Sequence, residues 1–84
     1  MSSFGTIPLS VVWAMLDHCA PGHTRVAKKH NWIVRFGTLT YPRFPLGEHG
    51  ARKDPEIQIG HVRNLARHFG IVECAKSQIE QLRG

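Results

Sequence analysis

The 84-residue chain predicts an α+β fold in the order α-β-β-β-α, two helices packed on one face of a three-stranded antiparallel sheet, with a short extra helix at the C-terminus. Three observations carry this. Apolar residues at helical spacing open the chain and recur near its end. Between them, a stretch rich in Val, Ile, Thr and aromatic residues alternates with period two. The connections within that stretch are short and local, as antiparallel pairing allows.

Leu9, Val12, Trp13 and Leu16 recur at i, i+3, i+4 and i+7, so they share one face of a first helix; Pro8 suits its first turn and "APG" at 20–22 ends it. Three strands follow at about 24–29, 31–36 and 38–44. In the second of them Trp32, Val34 and Phe36 face one way and Ile33 and Arg35 the other. Gly37 makes a tight hairpin, and Pro42 places the third strand at a sheet edge. "LGEHGARKDPEI" reads as a loop, and "GHVRNLARHFGI" as a second helix with Val62, Leu65, Ala66 and Phe69 on its apolar face. Its start is placed near Gly60, although Asp54-Pro55-Glu56 is also a competent N-terminus. Gly70 is expected in the left-handed conformation that closes the helix, with Ile71 as the apolar contact beyond it. In the last segment Val72, Ala75, Ile79 and Leu82 fall at loose helical spacing.

No repeat, low-complexity tract or linker divides the chain, so residues 1–84 form one domain with its core over about 7–82. With 42% hydrophobic and 20% charged residues, the composition is that of a folded protein rather than a disordered one. Cys19 and Cys74 are too few for the disulfide framework of small secreted domains, and no basic region precedes the apolar "VVWAML" as a signal peptide requires. That run is far shorter than the roughly 20 residues of a bilayer span. The expected location is therefore the cytoplasm, without a membrane partner.

The net charge is +5, and nine of the eleven basic residues lie between His23 and Arg67, opposed there only by Glu48, Asp54 and Glu56, which leaves +6 in that stretch. Such an excess attracts polyanions through counterion release, which makes nucleic acid the first partner to consider. Metal and nucleotide-loop chemistry lack their patterns. His18, Cys19, His23 and Cys74 have no closed tetrahedral spacing, no glycine-rich phosphate loop follows a strand, and no serine stands in a nucleophile elbow. No metal or other cofactor is called for.

Among six histidines, His30 differs by its setting, after Lys28-Lys29 and before Asn31-Trp32 at a turn between strands. An exposed imidazole beside two cations can transfer protons near neutral pH while the cations hold a phosphate. His18 and His23 bracket a helix end, where a cationic ring is mildly favourable, and His61 and His68 lie on the second helix as a solvated face.

Over about residues 9–71 the chain resembles the HicA toxins of bacterial toxin and antitoxin pairs. The matching places are "KKHN" at 28–31, "PLGEHG" at 45–50 and "GHVRNLARHFGI" at 60–71. Lys28-Lys29 stand where the family has Gly and Ser or Thr, Asn31 stands at the family's second histidine, and the loop from Leu46 to Ile59 is longer. The resemblance implies a fold like that of double-stranded-RNA-binding domains and a ribosome-independent endoribonuclease that cleaves mRNA. It maps His30 onto the catalytic position and implies a HicB-like antitoxin as protein partner. His49, in its glycine-flanked loop, is the candidate for a second proton transfer. Lys28, Lys29 and Arg35 are nominated to meet phosphate charge, with Arg63 and Arg67 on the second helix as further RNA-binding residues. Two alternatives stand beside this: a non-catalytic RNA-binding module that reads a duplex by shape, and a protein-interaction accessory domain anchored by Trp13, Trp32, Tyr41 and Phe44.

Overall fold

The computed structural model describes residues 5–46 and 55–83. Its elements run β1 (Thr6–Pro8), α1 (Leu9–Cys19), β2 (Thr24–Ala27), β3 (Asn31–Phe36), β4 (Leu39–Pro45), β5 (Glu56–Gln58), α2 (Ile59–Phe69) and α3 (Val72–Gln78), closed by a 3₁₀ turn at Glu80–Arg83. The expected α+β architecture is present, with β2-β3-β4 as an antiparallel sheet and β1-β5 as a second, two-stranded one.

Strand parity places the helices. Ala27 pairs with Trp32, Arg25 with Val34, Tyr41 with Val34 and Phe44 with Trp32, so these side chains share one sheet face. Both helices cover that face. Trp13 of α1 meets Trp32 edge-on at 5.0 Å and Phe44 at 5.9 Å, while Phe69 of α2 meets Phe36 at 5.8 Å. Val34 and Phe44 are fully buried beneath them. The pairing shifts by one between Trp32 and Val34, because Pro42 and Arg43 together oppose Ile33. This bulge absorbs Pro42, which has no N–H for the ladder, on a strand that lies at the sheet edge as expected.

The two-stranded sheet was not legible in the sequence. Ile7 pairs with Ile57, and each strand runs directly into a helix. Neither helix has a side-chain N-cap. Instead the Leu9 N–H donates to Pro55 O at 2.8 Å and the Ile59 N–H donates to Gly5 O at 3.0 Å, so each unit satisfies the first helical amide of the other. The chain therefore contains two related strand-helix units fifty positions apart, in which Ile7, Leu9, Val12, Met15 and Leu16 are buried as are Ile57, Ile59, Val62, Leu65 and Ala66. The two units are not a repeat in sequence. Only the burial pattern repeats, and the residue types differ at most positions.

Gly70 has φ 68, its N–H reaches Arg67 O at 3.1 Å, and the Ile71 N–H reaches Ala66 O at 3.0 Å, which is the expected left-handed close of α2. The last segment is a short helix followed by an extended residue, Ile79, and a 3₁₀ turn rather than one continuous helix. Ala75, Ile79 and Leu82 are buried in the common core. A disulfide joins Cys19 at the end of α1 to Cys74 in α3. Two cysteines, too few for a framework, thus make one staple across 55 positions. Among the described residues no helix is long and apolar enough to cross a membrane.

Candidate nucleic-acid interface

β2 ends two residues earlier than its sequence suggests, because the Lys28 N–H donates to Asn31 O at 2.7 Å and closes a tight turn. Lys28, Lys29 and His30 form the exposed tip of this β2-β3 hairpin. His30 makes no hydrogen bond, ion pair or ring contact with a described residue. Asn31 does the opposite. Its side-chain amide donates to Trp32 O at 3.3 Å and to Pro42 O, fastening the tip to the bulge of β4.

The nominated cations divide between separate places. Lys28 and Lys29 flank His30 at the tip. Arg35 lies five residues further along, roughly 17 Å of extended strand, and pairs with Thr24 and Thr40 on the sheet face opposite the helices. Of the two parities open to Lys28 and Arg35 in the sequence, Arg35 takes the one that points away from the helix layer. Arg43, which the sequence reading passed over, lies exposed on the bulge opposite Ile33. Arg25 is occupied: its guanidinium carbon stands 4.5 Å over the Trp13 ring.

Arg63 and Arg67 are elsewhere. They lie on the α2 flank that faces the C-terminal segment, where Lys76 and Arg83 join them around an open cleft of about 210 Å³. Spacing of Arg63 and Arg67 at i, i+4 marks one helix flank in the sequence, but Lys76 and Arg83 belong to a segment whose docking is a tertiary event. His49 lies outside the described residues, as does most of "PLGEHG".

The other histidines have structural partners or none. His61 and His68 are exposed as expected, and His68 also straps α2 to the edge strand: its Nε2 lies 2.7 Å from Thr40 O, and its ring contacts Tyr41 and Phe69. His23 Nδ1 lies 3.0 Å from Ala20 O, with Arg25 Nη1 3.4 Å from its Nε2. The Cys19 and Cys74 sulfurs are bonded to each other, and no group of three metal-ligating side chains occurs among the described residues. Trp13, Trp32, Tyr41 and Phe44 pack on one another and on the core rather than standing out as anchors. The buried Trp32 Nε1–H meets no acceptor among the described residues. No family model, curated protein or solved structure matches the chain.

Proposed function

We propose that the protein is a HicA-like RNA-binding protein that cleaves mRNA through His30. The observation that carries this reading is the hairpin tip, where an imidazole is presented to solvent between Lys29 and the anchored Asn31. Chemically, attack of a ribose 2′-hydroxyl or of water on a phosphodiester needs a base for the incoming proton and an acid for the departing oxygen. His30 supplies one of these roles, while Lys28 and Lys29 neutralise the charge that grows on the phosphoryl oxygens. Arg43, beside the buried Phe44 and opposite Ile33, belongs with Arg35 to the sheet face away from the helices. A HicB-like antitoxin would then have to cover the tip.

A second reading, an RNA-binding module without cleavage, is favoured by one specific observation: Asn31, at the place of the family's second histidine, spends its amide on the β4 carbonyl. The test is incubation of a long single-stranded mRNA with wild type and His30→Ala at equal concentration. Cleavage by wild type alone, with equal binding by both, supports catalysis. Equal binding with the same salt dependence and no cleavage by either establishes the module instead.

A further inference from the structure

We propose that the cleft between α2 and the C-terminal segment is a binding site for a phosphate monoester carried on ribose. Four cationic side chains line it, Arg63 and Arg67 from α2, Lys76 from α3 and Arg83 from the 3₁₀ turn. The carboxylate found beside them is Glu73, whose Oε2 lies 3.8 Å from Lys76 Nζ. Lys76 shares its charge with Glu73, while Arg63, Arg67 and Arg83 have no carboxylate partner among the described residues, so the opening favours an anion.

Two of the cations are held by backbone. Arg63 Nη2 donates to Leu82 O at 3.5 Å, and Arg83 Nε donates to Lys76 O at 3.3 Å. Each guanidinium has five N–H donors, so both keep donors for a ligand while touching the backbone of the C-terminal segment. Planar guanidinium groups match the paired oxygens of a phosphate, and a monoester, with close to two negative charges at neutral pH, suits four cations better than a singly charged diester. The apolar residues Ala66, Val72 and Leu82 complete the lining, a surface suited to the carbon face of a sugar. A volume of about 210 Å³ holds a phosphate and its attached ribose.

The wall is built, not incidental. Ala75, Ile79 and Leu82 are buried beneath it, and the Cys74 disulfide pins α3 to α1. The lining residues come from α2 and the C-terminal segment and include none from the β2-β3 tip. The site thus stands apart from the His30 reading.

The ligand source is a free 5′-nucleotide or the 5′-phosphorylated end of an RNA. Amide and arginine side-chain NMR shifts should be followed while 5′-AMP, adenosine, sulfate at matched ionic strength, and a trinucleotide with and without its 5′-phosphate are added in turn. Shifts centred on Arg63, Arg67 and Lys76 with 5′-AMP and absent with adenosine are expected. Arg67→Gln combined with Lys76→Gln should weaken 5′-AMP by about tenfold or more, while His30→Ala leaves it unchanged. A 5′-phosphorylated trinucleotide that binds tighter than 5′-AMP assigns the site to RNA ends, and equal binding assigns it to free nucleotide. Sulfate binding as tightly as 5′-AMP, shifts spread equally to Lys28 and Lys29, or no loss in the double variant would overturn the proposal. A cleavage failure in the His30 experiment leaves these outcomes untouched.

Discussion

Cys19, in the last turn of α1, is joined to Cys74 in α3 with 5.7 Å between their Cα atoms. The bond closes a loop that spans the three-stranded sheet and α2, so it restricts the unfolded chain somewhat more than a local crosslink does. By the chain-entropy relation a loop of this length contributes about 4 kcal/mol. Urea unfolding of the protein with and without a reductant should show a loss approaching that size. An unchanged midpoint would mean the bond does not form in solution. The compartment needs a separate measurement: a Cys19–Cys74 bond already present when cells are lysed into a thiol-blocking reagent argues for an oxidising environment rather than the expected cytoplasm.

Gly60 in α2 and Gly70 just past its end predict opposite outcomes for one substitution. Gly60 is exposed within the first turn, and a Cβ there meets nothing within 4 Å. Gly60→Ala should therefore stabilise the protein by about 0.4–1 kcal/mol, because it mainly restricts the unfolded chain. Gly70 also has open space around it, but its φ of 68 is costly for any side-chain-bearing residue. Gly70→Ala should destabilise by about 1–2 kcal/mol. Thermal melts of the two variants decide whether the helix start and close are as described.

Leu65 is fully buried at the place in the second strand-helix unit that Met15 occupies in the first. Leu65→Ala should cost about 2–5 kcal/mol, a lost transfer term plus a cavity in a small core. Chemical denaturation reads it directly, and a loss below 1 kcal/mol would mean that α2 does not pack as found.

Asn31 fastens the hairpin tip to Pro42 O. Asn31→Ala removes that donor and should cost about 1 kcal/mol in stability, with faster amide exchange at Lys28, whose N–H closes the turn. If the Asn31 amide instead hydrogen-bonds the phosphodiester, Asn31→Ala would abolish cleavage while leaving stability and exchange unchanged.

Much of the fold was legible because its signals are local. The period-two pattern in Trp32, Val34 and Phe36 assigned the buried face of β3, Pro42 marked the edge, and Gly70-Ile71 announced the close of α2. Those features depend on backbone geometry and on neighbours a few residues away. The candidate site was legible in part for the same reason: Lys28, Lys29 and His30 are adjacent in sequence and stay adjacent on a turn.

Tertiary structure decided the rest. Three-residue strands such as Thr6–Pro8 and Glu56–Gln58 carry no periodicity of their own, and pairing at fifty positions' separation leaves no local trace. Their pairing, rather than a capping residue, sets where both helices begin. The partner of Cys19 is likewise a matter of where α3 docks, and composition does not fix that. Arg35 and Arg63, both basic and both nominated for RNA binding, lie in different parts of the molecule, set by strand parity in one case and by the packing of the C-terminal segment in the other. Charge can be counted along a chain, but a site requires convergence, and convergence is set by long-range packing.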